Sequence, residues 1–204
     1  MKRPVLLSLL VIPLFASLFG AAPQIPQSAQ APSPSTYQRP ELYKPDQKIL
    51  LAKAQHGDVS AQFWLGAGYE QGWFGKPDFQ EALKWLRKAA KRGNPDAQNT
   101  LGQMYEDGEG VPKNYALAAQ WYRKAAEHVP DLGGAGQGRN HLGILYMAGL
   151  GVPKDYIQAY KWFSLAGTER NLAAVQVKMN AAQILQAQEM ADEWKKQHPD
   201  PAIY

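Results

Sequence analysis

The chain has no cysteine. Disulfides and thiolate metal sites are therefore excluded, and stability must come from burial alone. Net charge is also in short supply. The 22 basic and 18 acidic residues leave a formal +4 at pH 7, and Lys2 and Arg3 supply two of those charges. So weak a field gives no reason to expect nucleic acid or an anionic membrane as partner. Histidine is scarce, with four residues at 56, 128, 141 and 198 and no paired spacing. Such isolated imidazoles read as ordinary structural residues rather than ligands or bases. The Ser-x-x-Lys, Gly-x-Ser-x-Gly and His-Glu-x-x-His patterns are absent, and with them the usual nucleophile and zinc signatures. No catalytic residue, no metal and no cofactor is expected.

What the chain does have is repetition. Ala61-Gln-Phe-Trp-Leu65-Gly66-Ala-Gly-Tyr69 returns as Ala97-Gln-Asn-Thr-Leu101-Gly102-Gln-Met-Tyr105, and again around His141-Leu142-Gly143-Ile-Leu-Tyr146. A second block follows each time, carrying Trp85, Trp121 and Trp162. Both blocks recur after 36 residues and then after 41. A period of this size marks a stacked array of supersecondary units. Each unit reads as two helices. The first starts at an N-cap, Asp58 or Asn94, and ends near a glycine at 72, 108 or 149. The second starts at Asp78, Asn114 or Asp155, and Asp78 with Glu81 has the spacing of a capping box. Leu65 and Tyr69 share one face of the first helix, and Ala82-Trp85-Ala89 form a stripe on the second. Gly66, Gly102 and Gly143 lack a side chain and let a neighbouring helix come close.

The ends differ from the array. A basic start at Lys2 and Arg3, an apolar run from Val5 to Phe19 and small residues at 20–22 have the layout of a secretory leader. Residues 1–22 are read as a signal peptide, although Pro23 is poorly suited to the position after a cut. An uncleaved anchor is the alternative, and the membrane would then be met only through this leader. Periplasmic or secreted location follows. Residues 23–45 are rich in proline and poor in apolar groups, a linker composition. The repeat domain is placed at 46–197: a half-unit at 46–60, units at 61–96, 97–137 and 138–173, and a closing helical cap at 174–197. A short tail, 198–204, follows.

The pattern A-x-x-x-L-G-x-x-Y, then G-x-G-V-P-K-[DN]-Y, then A-x-x-W-[YF] with paired alanines, resembles the Sel-one-like repeat (SLR) family, relatives of tetratricopeptide repeats. The resemblance covers about residues 46–197 and is nearly complete from Ala97 through Ala126. It implies an all-α fold, a right-handed α-solenoid of helix-turn-helix repeats with a C-terminal capping helix. The first unit departs at Trp73-Phe74-Gly75-Lys76-Pro77, and the third at Gly138 and Gly167. Some cysteine-rich members are described as β-lactamase-like, but this chain lacks both the cysteines and the Ser-x-x-Lys.

Other candidate features have plain readings. Glu106-Asp107-Gly108-Glu109-Gly110 lacks the alternating ligands of a calcium loop. Gly133-Gly134-Ala-Gly136-Gln-Gly138 falls in the five-residue excess between the second and third units and reads as an inserted flexible connection. The basic run Lys84, Arg87, Lys88, Lys91 and Arg92 reads as a solvated face. Solenoids bind partners on an extended inner surface. By resemblance, variable positions of the first helices would line it: Phe63, Ala67 and Glu70; Asn99, Gln103 and Glu106; Asn140, Ile144 and Met147. Asn99 and Asn140, in register, have two readings: they hydrogen-bond the backbone of an extended peptide, or they are plain polar surface. The expected function is an exported, monomeric, non-enzymatic scaffold for a protein or peptide partner. An envelope enzyme or ligand binder acting on cell-wall components, and a secreted host-interaction factor, are the alternatives.

Overall fold

A computed structural model describes residues 46–129 and 133–199. The expected leader and linker, and all but the first two residues of the tail, lie outside the described residues. Nine helices and no strand occur among the described residues. No helix among them is long and apolar enough to cross a membrane. In chain order they are α1 (Gln47–Gln55), α2 (Val59–Glu70), α3 (Phe79–Lys91), α4 (Pro95–Asp107), α5 (Tyr115–Ala126), α6 (Gly134–Ala148), α7 (Tyr156–Ala166), α8 (Glu169–Gln176) and α9 (Ala181–Gln197). The hairpins α2/α3, α4/α5 and α6/α7 stack through α3 on α4 and α5 on α6. Helix α1 leans on α2, and α8 and α9 close the stack against α7. This is the all-α repeat solenoid that the 36- and 41-residue periods predict.

The caps form where short polar side chains precede each apolar stretch. Asp58 accepts from the Ala61 N–H at 2.8 Å, Asn94 from Ala97 at 2.7 Å and Asn114 from Leu117 at 3.0 Å. Asp155 takes both the Ile157 and Gln158 N–H groups. Gly108 and Gly149 end their helices in the left-handed region that glycine favours. Two details differ from the sequence reading. Helix α2 stops at Glu70 with Gln71 as its cap, ahead of Gly72. The Asp78 box is only half formed, because Glu81 turns to Lys84 and the Trp85 indole. The complete box is Asn180 with Gln183, at the start of α9.

The repeated glycines are contact points between the helices of a hairpin. A Cβ on Gly66 would meet Leu86, one on Gly102 the ring of Tyr122, and one on Gly143 the ring of Phe163. All three neighbours are fully buried. Each such side chain contributes roughly 1.5–3 kcal/mol of burial. The alanine stripes beside the tryptophans (Ala82, Ala89, Ala118, Ala125, Ala159) are likewise sealed from solvent.

A second column ties one repeat to the next. Gln62 donates to the Ala54 carbonyl at 3.0 Å, and Gln98 to Ala90 at 3.1 Å. At the matching place in the third repeat stands Arg139, whose Nε donates to Ala126 at 3.0 Å. Its other nitrogens reach the carbonyls of Leu165 and His128. The guanidinium also lies 4.7 Å from the Trp194 ring centre. Carbonyls at helix C-termini carry partial negative charge, so they compensate this buried cation.

The glycine run before Arg139 corrects an expectation. It is no flexible connection: residues 134–138 are the first turn and more of α6. The glycines are there because the helix enters against another backbone. Gly134 lies on the Pro95–Asp96 backbone so closely that a Cβ has no room, and Gly138 sits on Ala125. Helix α6 thus starts ahead of residue 138, where the third unit was placed.

Candidate functional site

The first helices of the repeats, α2, α4 and α6, stand in sequence along one side of the stack. Helix α4 packs closely on α6, whereas α2 and α4 touch only lightly. The glycines of α6 account for the close pair. They let its N-terminus seat on α4, where the Gly134 N–H donates to Asp96 Oδ1 at 2.8 Å. That carboxylate from the neighbouring repeat supplies the cap that Gly133 cannot.

A cleft of about 230 Å³ opens at the looser junction. Its walls are Phe63, Trp64, Ala67 and Glu70 of α2, Gln71 and Trp73 beyond it, Asp96, Asn99 and Thr100 of α4, and Gly133 and Gln137 at the start of α6. The aromatic wall is continuous: Phe63 and Trp64 have ring centres 4.9 Å apart, and Trp64 and Trp73 6.2 Å apart. Trp64 is 39% exposed, in contrast to Trp85 at 4% and Trp162 at 5%. Glu70 brings a carboxylate to the lining. Burial, then the nearby Glu109 and Asp107 carboxylates, push its pKa up to about 7. Burial also raises Asp96, partly offset by the Gly134 hydrogen bond.

The closed side of α4 carries a polar network. Tyr122 donates to Glu106 Oε2 at 2.6 Å, and its ring stacks on His141 with centres 4.8 Å apart. His141 Nδ1 lies 3.1 Å from Asn99 Oδ1, so Nδ1 carries the proton. Asn99 in turn donates to Gln137 at 2.9 Å. Burial lowers His141 to about 4, which keeps the imidazole neutral. Burial raises Glu106, an effect that Tyr122 opposes. The other imidazoles in the hydrogen-bonded set, His56 and His198, meet the carbonyls of Ala52 and Trp194. Among the described residues no group of three or more His, Cys, Asp or Glu side chains is arranged to hold a metal ion.

The sequence-derived inner-face residues fall into two sets. Phe63, Ala67, Glu70 and Asn99 meet at the cleft. Gln103, Glu106, Asn140, Ile144 and Met147 do not line it. Gln103 is buried in α4, Glu106 is held by Tyr122, and Ile144 and Met147 pack against the core shared by α7, α8 and α9. The expected amide ladder for a bound peptide needs correcting. Asn99 and Asn140 are 2% and 5% exposed, and Asn140 accepts from Asn171 at 2.7 Å. The amides are in register, but they join helices of this chain to one another. Trp64, Asp96 and Gln137 were missed, whereas Trp73 belongs to the first loop whose departure from the repeat the sequence already marks. Disagreement between repeats was the signal for Trp64 as well, which stands where Thr100 and His141 stand.

A stack of capped helix pairs with a side cleft between first helices defines a short α-solenoid. The Sel1 repeat model matches residues 59–94, 95–128 and 137–170, and the chain belongs to the Sel1 repeat family. Such proteins are generally protein-interaction scaffolds and typically not enzymes. The chain is similar to the crystal structure of c5321, a protective antigen of uropathogenic Escherichia coli strains displaying an SLR fold. The TM-score is 0.67 at 34% identity, over 74% of this chain and 33% of that one. The chain thus spans about a third of that relative's length. It is also similar to a Sel1 repeat protein from Oxalobacter formigenes, with TM-score 0.52 and 35% identity over 73% of this chain and 98% of that one. No curated protein matches.

Proposed function

We propose that the chain is an exported, non-enzymatic scaffold that holds a segment of a partner protein in the cleft between α2 and α4. The cleft itself carries the reading: solvent-exposed Trp64 stands with Phe63 and Glu70 at the one loose junction between first helices of the stack. Exposed aromatic surface rimmed by polar groups is the usual mark of a contact site. The apolar leader layout at residues 5–22 supports export. The protective-antigen status of the first relative named above supports it further.

The test is a photo-crosslinking amino acid placed in living cells at Gln71, on the cleft rim, and separately at Lys91, exposed on α3. The expected outcome is a discrete adduct at 71 and none at 91. Equal labelling at both positions would sink the cleft reading. N-terminal sequencing of the same protein, from cell fractions and medium, checks export. A mature chain starting at Pro23 in the envelope or medium is expected.

A further inference from the structure

We propose that the cleft takes a cationic anchor, the lysine or arginine side chain of the partner segment. This rests on the cleft being the partner site, and it names what the partner must present there.

The first argument is the sign of the charge. Glu70 and Asp96 both line the cleft, and no Lys, Arg or His is among its described lining residues. Glu109 and Asp107 lie close enough to Glu70 to act on it through space. The chain as a whole is basic by four charges, so this concentration of carboxylates is local. With its pKa raised to about 7, Glu70 is a carboxylate that its surroundings penalise when ionised. A cation beside it would remove that penalty. Asp96 gives one oxygen to Gly134, and Glu70 is therefore the main counter-ion.

The second argument is the aromatic wall. Ring faces attract cations that come within about 6 Å of the ring centre, indole most strongly. Elsewhere in this array indoles already take cations from the chain itself: Lys88 lies 4.2 Å from the centre of Trp85, Lys124 4.4 Å from Trp121 and Lys161 4.4 Å from Trp162. Trp64 and Trp73 bring two further indoles to the wall of the cleft.

The third argument is size. At about 230 Å³ the cleft falls short of the roughly 300–1,000 Å³ of small-molecule sites. It suits one long side chain whose stem lies along Phe63 and Trp64 while its head meets Glu70. Long basic side chains bury their stems in this way and keep the charged end in a polar setting.

The experiment is selection of random ten-residue peptides displayed against the immobilised full chain, followed by affinity measurement on the enriched peptides. Lysine or arginine is expected at one fixed position. Glu70→Gln should weaken binding by about tenfold, as should Trp64→Ala, while Trp64→Phe loses only a few-fold. Added salt should weaken binding to the wild type more than to Glu70→Gln. Glu70→Gln is isosteric and removes a buried charge, so a loss of binding would not reflect unfolding. Peptides that lose affinity with Trp64→Ala yet carry apolar or acidic anchors, or are indifferent to Glu70→Gln, would overturn the cationic anchor and leave the cleft reading standing. Failure of any peptide to enrich, or enriched peptides unaffected by Trp64→Ala, would overturn the cleft reading itself. The chain has its own cations at Arg39 and Lys44. If replacing both with serine tightened peptide binding tenfold or more, the partner assignment would be overturned in favour of the chain itself as the occupant.

Discussion

Two junctions between first helices, α2 with α4 and α4 with α6, are built by one repeat and end up different. The first is loose and holds the aromatic, acidic cleft. The second is shut by glycines, by the Asp96–Gly134 hydrogen bond and by the Asn99–Gln137 and His141–Asn99 contacts. What repeats faithfully is the packing inside each hairpin, where Gly66, Gly102 and Gly143 receive Leu86, Tyr122 and Phe163. The distance between successive first helices is not set by those columns. It is set where the repeats disagree, and that is where a specific surface can form without disturbing the fold.

The strongest break is expected at Arg139, which ties α6 to the ends of α5 and α7. It is 3% exposed and donates to three backbone carbonyls. Arg139→Ala leaves those acceptors buried without this donor and opens a void beneath Trp194. A loss of about 3–5 kcal/mol is expected in a urea melt.

Gly134→Ala comes next. Its Cβ would press on the backbone of Pro95 and Asp96, which cannot rotate away as a side chain can. Overpacking of this kind costs about 1–3 kcal/mol, offset in part by alanine's better helix propensity. A net loss of about 2 kcal/mol is expected. The amide of residue 134 should also lose hydrogen-exchange protection. Gly167→Ala is a useful contrast, since nothing lies near its Cβ and only its positive φ opposes the change.

The hairpins, their caps and the glycine contacts were legible in the sequence because each is a short-range pattern repeated three times. Leu65 with Tyr69, or Asn114 before Tyr115, needs only helix periodicity and the chemistry of a free N–H. The cleft was half legible. Phe63 and Glu70 could be placed on the right side of α2, but periodicity names a face and not the neighbour that faces it. Asn99 and Asn140 show the consequence. Their shared register is real, and what stands opposite them is Gln137 and Asn171 of the same chain. The glycine run misled for a related reason. Glycine favours turns in isolation, and only the approach of the α4 backbone makes it the residue a helix needs at 134.

The pH response separates the two junctions again. In the cleft, Glu70 titrates near 7 when folded against 4.5 ordinarily, so its favourable contribution is complete below pH 4.5 and lost as pH rises through 7. On the shut side, His141 titrates near 4 against 6.5, so its contribution is present above pH 6.5 and lost as pH falls through 4. The two slopes oppose each other over the same window, and the wild type should vary little between pH 4.5 and 7 on their account. Glu70→Gln removes one slope. The variant should gain about 2 kcal/mol over wild type at pH 8 and nothing at pH 4, leaving a curve that rises with pH. Urea melts across that range read the difference directly. A variant no more stable than wild type at pH 8 would show that the cleft carboxylate is not strained.

The smallest expected effect lies in the column of Gln62, Gln98 and Arg139 that ties one repeat to the next. Gln62 and Gln98 each donate their amide hydrogen to a helix-end carbonyl and leave Oε1 buried with no hydrogen-bond partner. Arg139, at the matching place, has no such oxygen to strand. A half-satisfied buried amide gains from its bond and loses from its orphan in nearly equal measure. Gln98→Met keeps the length and fills the same space, at the expense of leaving the Ala90 carbonyl without its Gln98 donor. A change within about 1 kcal/mol of zero is expected. A loss above 2 kcal/mol would mean that the single amide bond holds the repeats in register at the front of the stack as firmly as Arg139 does at the back, and that the looseness of the α2/α4 junction has to be traced to the aromatic wall alone.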